Sequence, residues 1–175
     1  LRETDPYYNY IEVDLRTGKS IGPSILDLLL LMQPESRLSD REKYEIDQYL
    51  MRGGRVIFLM NFYRPDFTAG EQVTAFTFTR ETNLDDLFMK HGVKLQYNLL
   101  NDKNSGNLAL GSYSAALGSE NVQVPWPFYP MISDLSSHPT TRYIGQVMLR
   151  YASSIDTFYT PGMDYTVLLR TGTPT

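Results

Sequence analysis

The chain has 175 residues, 42% hydrophobic and 21% charged, with a formal net charge of −4. That length and composition suit one globular domain with a real core and argue against a disordered segment. The acidic balance leaves no basic excess to neutralise phosphates, which speaks against nucleic acid as a partner. Cysteine is absent, which removes disulfides, thiolate metal ligands and cysteine nucleophiles together.

In chain order, residues 8–14 alternate and predict a strand. The turn-rich "LRTGKSIGPS" follows, then "ILDLLLLM" (25–32), a near-continuous apolar run of the kind buried on both faces of a parallel sheet. Ser39 and Glu42 form an S-x-x-E capping box, and Ile46, Tyr49 and Leu50 make the apolar stripe of the helix it opens. Gly53 and Gly54 come after that helix. A phosphate cradle needs its glycines before a helix, where free N–H groups face the anion. The pair therefore reads as a C-cap and a helix-to-strand turn into "RVIFLM".

Residues 61–82 form a long excursion, read as a functional loop or a hairpin arm, with strand character in "VTAFTFT". Asn83 with Asp86 predicts a second capped helix, with Leu84, Leu87 and Phe88 buried, His91 in its last turn and Gly92 closing it. "VKLQYNLL" and "LALGSYS" predict strands. "VPWPFYPMI" (124–132), with three prolines, predicts an irregular or edge segment. "SSHPTTRYIG" suits a short helix with Pro139 at its first position, "QVMLRYASSI" a strand, and "YTVLLRTG" the last strand. Alternating strands and helices with right-handed crossovers predict a three-layer α/β sandwich on a mostly parallel sheet, with a second half richer in strands and loops.

No stretch of about eighteen apolar residues offers a bilayer span. The opening "LRETDPYY", with neither an initiator methionine nor a signal-type apolar segment, reads as the start of an excised fragment of a longer protein. No H-E-x-x-H, G-x-S-x-G or phosphate-loop pattern occurs, so no catalytic, cofactor or metal residue is expected. Asp85 and Asp86 are explained by the helix dipole. Asp66, Glu71 and Asp102 could hold a cation but read as solvated surface. Ser153 and Ser154 lack the flanking glycine and following helix of a nucleophile elbow. The candidate partner or ligand surface is Trp126, Phe128 and Tyr129, stiffened by flanking prolines, with His138. The plainer reading packs those aromatics under a loop at a sheet edge and gives His138 the role of capping the short helix that opens at Pro139.

The stretches "LSDREKYEIDQYLMRGGRVIFLM", "NLDDLFMKHGVKLQYNLL", "PWPFYP", "SSHP", "YASSIDT" and "LLRTG", in this order over roughly residues 24–172, resemble the gliding-motility-associated ABC-transporter auxiliary subunit, the GldG-like family. "YYNYIEVDL" resembles that family's second strand, and Leu1 to Thr4 the tail of a preceding helix. The resemblance implies a Rossmann-like domain, similar to flavodoxin, class I glutamine amidotransferase and intraflagellar-transport relatives. It implies a single extracytoplasmic domain over residues 1–175, on the periplasmic face of the cytoplasmic membrane. The membrane would be reached through segments outside these residues, and the partners would be an ABC permease and a separate ATPase subunit. It carries over no catalytic residues. The expected function is non-catalytic, through protein–protein contacts in export or gliding. The alternative is a periplasmic saccharide-binding module using Trp126 and Tyr129. A hydrolase using Asp85, Asp86 or His138 comes third.

Overall fold

The structure, a computed structural model, describes residues 7–17, 21–34, 36–66, 75–78, 81–111 and 121–172. In chain order the elements are β1 (Leu29–Met32), α1 (Asp40–Met51), β2 (Val56–Leu59), β3 (Tyr63–Asp66), β4 (Ala75–Phe78), α2 (Asp85–Lys90), β5 (Val93–Leu95), β6 (Ser105–Gly111), β7 (Asn121–Ile132), β8 (Asp134–Leu135), β9 (Val147–Met148), β10 (Ile155–Thr157) and β11 (Leu169–Arg170). The chain divides into two compact units, residues 1–59 with 82–84, and residues 60–81 with 85–175.

In the first unit, α1 begins at the predicted capping box. Ser39 Oγ accepts from the Glu42 amide, and Glu42 Oε2 accepts from the Ser39 amide at 2.8 Å. The helix ends in a Schellman motif: Gly53 has φ +85°, its amide donates to Leu50 O, and the Gly54 amide donates to Tyr49 O. Both glycines are therefore structural. Ile46 and Tyr49 are fully buried, and the Tyr49 hydroxyl donates to Leu26 O at 2.9 Å. Glu45 is buried too, held by Arg41 at 2.7 Å one turn away. The crossover joins β1 to β2 as a parallel pair in register, Leu29 against Val56 through Met32 against Leu59. Alternation puts Leu29, Leu31, Val56 and Phe58 on one face, the better buried one.

The expected Rossmann-like three-layer sandwich on a mostly parallel sheet is not what the described residues form. After β2, all described pairings are antiparallel: β3 with β4, β5 with β10, β6 with β7, β7 with β9, and β8 with β11. The excursion at 61–82 is thus a hairpin arm; residues 67–74, and Glu71 among them, lie outside the described residues. β5 does not extend the parallel pair because its partners are side-chain specified. Asn98 donates to Ser154 Oγ at 2.8 Å and accepts from the Ser154 amide at 2.9 Å, while Ser153 Oγ donates to Asn98 O at 2.7 Å. These clamps tie the chain after β5 to the chain before β10.

Several local expectations also change. Residues 9–14 form no strand: the Asp14 carboxylate accepts from the Arg16 amide at 2.9 Å, and this side-chain turn leads into a single 3₁₀ turn at Leu15–Thr17. α2 starts at Asp85 rather than after an Asn83 cap. Asn83 lies in the left-handed region at φ +64° and donates its side-chain amide to Leu38 O and Asp40 Oδ1. Residues 139–143 make a turn instead of a helix, because the Thr141 hydroxyl binds Ser136 O in competition with helical bonding. The strand predicted over 146–155 is interrupted by Tyr151, at φ +54°. Leu1 to Thr4, which resemble the tail of a helix, lie outside the described residues. Among the described residues no helix is long and apolar enough to cross a membrane.

Candidate functional site

The aromatic segment is not an edge, and the irregularity expected of it takes the form of a bulge. It lies in β7, the central strand of the three-stranded sheet β6–β7–β9. Two of the three prolines are held there through their carbonyls, bonds that need no N–H from the proline. Pro127 O accepts from the Asp102 amide at 3.0 Å, and Pro130 O from the Leu149 amide at 3.1 Å. The register also slips. Ser105 pairs with Pro130 and Asn107 with Pro125, so Gly106 alone stands against Trp126 through Tyr129. This is a long bulge, and a bulge re-aims side chains.

The bulge turns its aromatics onto one another and inward. Trp126 and Phe128 meet edge to face at 5.6 Å. Tyr129 is buried and meets Tyr151 edge to face at 5.1 Å, their hydroxyls 3.1 Å apart, with the Arg150 guanidinium 5.2 Å above the Tyr129 ring. Burial first, and then the Tyr129 hydroxyl, push the Tyr151 phenol well above its ordinary range. The buried Trp126 indole N–H meets no acceptor in hydrogen-bonding geometry, yet lies near enough to Tyr151 to oppose that rise.

His138 is exposed and belongs to a different feature. Its amide donates to Ser136 Oγ at 3.2 Å, its Nδ1 accepts from the Thr140 amide at 3.2 Å, and its carbonyl accepts from the Thr141 and Arg142 amides. The imidazole caps a turn. The structure therefore brings Trp126 to Phe128 and Tyr129 to Tyr151, while His138 is held by its own Ser136–Arg142 turn. Ser153 and Ser154 are engaged with Asn98, and Asp102 Oδ1 accepts from the Asn104 amide at 2.9 Å. Among the described residues no group of three or more His, Asp or Glu could hold a metal ion.

A second feature went unread in the sequence. A shallow hollow of about 330 Å3 is lined by Asp85, Met89, Lys94, Leu95 and Tyr97. The Tyr97 hydroxyl donates to Asp85 Oδ2 at 2.9 Å, its carbonyl accepts from the Tyr63 hydroxyl at 3.1 Å, and its ring packs on Phe62 at 4.7 Å. Burial of the hydroxyl, and then Asp85, push Tyr97 up to about 12, so at neutral pH it is a proton-bearing donor. Exposed aromatics were missed too. Tyr143 is 84% and Tyr159 87% exposed, and Arg142 lies 4.7 Å over the Tyr143 ring. No short-range pattern marks either feature, since exposure and convergence are set by neighbours distant in sequence.

With this geometry in hand, the chain can be placed among known proteins. The family described as ABC-type uncharacterized transport system matches residues 1–175. No curated protein matches the chain. Among solved structures it is similar to the mmIFT52 N-terminal domain, at 12% identity and a TM-score of 0.57, over 98% of this chain and 66% of that one. At that identity the likeness concerns the fold alone, and the chain spans just under two thirds of that domain's length.

Proposed function

We infer the role from a family that the chain belongs to, the ABC-type uncharacterized transport system family; the protein is an auxiliary component of such a system. Within it, we assign this domain a non-catalytic part, played through protein–protein contacts with the permease and the separate ATPase subunit. We place it on the extracytoplasmic face of the cytoplasmic membrane, as one domain of a membrane-anchored protein of the gliding or export type. The observation that carries the reading is the family match over residues 1–175.

Three features support it. His138, Ser153 and Ser154 serve a turn and a clamp: His138 caps, and Ser153 and Ser154 bind Asn98. The bulge of β7 holds Trp126, Phe128 and Tyr129 as a stiff aromatic wedge suited to supporting a contact surface. Tyr143 and Tyr159 stand out into solvent, and exposed aromatics of this kind act as anchors in interfaces. Affinity capture of the full-length protein in mild detergent tests the reading. Recovery of a permease and an ATPase is the expected result; their absence at comparable yield of the bait overturns it.

A further inference from the structure

We propose that the hollow between α2 and β5 is a binding site whose ligand is a neutral polyhydroxylated molecule, one unit of a saccharide. This inference does not rest on the docking role above. The hollow is firmly built. Tyr97 is fixed at three points, by Asp85, by Tyr63 and by the Phe62 ring. The Asp85 carboxylate is in turn held by Tyr97 through one oxygen, which leaves the other able to accept from a ligand. Lys94 stands opposite Asp156 in the β5–β10 ladder, and an ammonium has three donors, so even a bond to that carboxylate leaves donors to offer.

The lining selects the ligand class by elimination. One carboxylate and one ammonium cancel, so an anion meets Asp85 and a cation meets Lys94, each at a cost. A purely apolar ligand would desolvate both charges without replacing their hydrogen bonds. A sugar unit offers donors to Asp85 and to the lone pairs of the Tyr97 hydroxyl, acceptors to Lys94, and a C–H face to Met89, Leu95 and the Tyr97 ring. The Met89 and Tyr97 side chains are about half exposed, so a bound sugar keeps its outer hydroxyls in water. A shallow hollow also leaves room for the chain of an oligosaccharide to continue on either side.

Protein-observed NMR with a panel of glucose, galactose, N-acetylglucosamine and their short oligomers tests this. Glycylglycine and inorganic phosphate are the competing probes. The expected result is saturable shifts at the Met89, Lys94, Leu95 and Tyr97 amides with at least one sugar, weakened about tenfold or more by Asp85→Asn. Tyr97→Phe keeps the ring but releases Asp85, and weakens binding less than Asp85→Asn; it decides the matter if Asp85→Asn does not fold. Silence of the whole panel up to about 50 mM overturns the site. So do shifts centred elsewhere. Equal response to glycylglycine or phosphate overturns the ligand class. None of these outcomes bears on capture of a permease, so the two readings fail separately.

Discussion

Gly53 and Gly54 are adjacent and do different work. Gly53 is required by its backbone: at φ +85° an L side chain is strained, but a Cβ there would meet nothing within 4 Å. Gly54 is required by space, because a Cβ would run into the Tyr49 ring, which is fully buried and tied to Leu26 O. Gly53→Ala should cost about 1–2 kcal/mol and Gly54→Ala about 1–3 kcal/mol. The two causes separate in a Tyr49→Leu background. There the Gly54→Ala cost should shrink, because the clashing ring is gone, and the Gly53→Ala cost should stay. Denaturant unfolding of the five variants (both glycine singles, Tyr49→Leu and the two doubles) measures both; an unchanged Gly54→Ala cost would rule out the ring contact. The sequence made the turn legible through the order helix–glycine–glycine–strand. It did not reveal Tyr49 as the neighbour, because that ring reaches Gly54 only once the helix has closed.

At the scale of elements, the ends of α1 were readable and the partners of the strands were not. Capping acts over three or four residues, so Ser39 and Glu42 declared the helix start without help from the rest of the chain. Ser39→Ala should cost about 1 kcal/mol. The backbone and side-chain hydrogen bonds from Ser39 hold the Glu42 carboxyl below its ordinary 4.5. A lowered carboxyl contributes stability above the unfolded value, and that stability is lost as pH falls through the lower folded value. Ser39→Ala should therefore lose least relative to wild type in acid and most near neutrality, a difference that melting temperatures against pH record. Strand pairing obeys other rules. The alternation in "VKLQYNLL" marks a strand in either a parallel or an antiparallel sheet. Asn98, some 56 residues from Ser154, supplies the choice. Asn98→Ala should cost about 0.5–1.5 kcal/mol, the net worth of hydrogen bonds that water partly replaces at this exposed clamp. Loss of amide-exchange protection at Gln96 and Leu100, whose amides bond to Ser154 O and Ala152 O, should accompany it. Unaltered protection would show that the clamp is dispensable.

At the scale of the molecule, the two raised phenols make a prediction for high pH. Tyr97 and Tyr151 both belong to the second unit, and both hold their protons more tightly folded than unfolded. A raised folded pKa gives stability that is complete below the unfolded value, near 10, and is lost as pH rises through the folded one. Stability should fall between about pH 10 and pH 12, followed by the fluorescence of Trp126, which lies in the same unit. Tyr151→Phe should soften that fall; an identical alkaline limb in this variant would exclude its phenol as a cause. The exposed aromatics predict the opposite pattern. Replacing Tyr143 and Tyr159 with serine should leave the stability within the scatter of surface changes, about 0.5 kcal/mol, while reducing permease capture. Equal capture would place the contact surface elsewhere.

What the sequence determined by itself is what neighbours along the chain decide: the capping box, the glycine cap at Gly53, the closure of α2 at Gly92, the lack of thiol chemistry, and the family resemblance carried by short stretches in order. Tertiary structure alone decided three things. The strands after β2 pair antiparallel rather than extending β1 and β2. Trp126 to Tyr129 turn into a bulge facing Tyr151. Asp85, Lys94 and Tyr97 converge on one hollow. The physical reason is common to all three. A side chain's periodicity records which residues will be buried, but the partner that buries them is chosen by hydrogen bonds and packing between segments far apart in the chain.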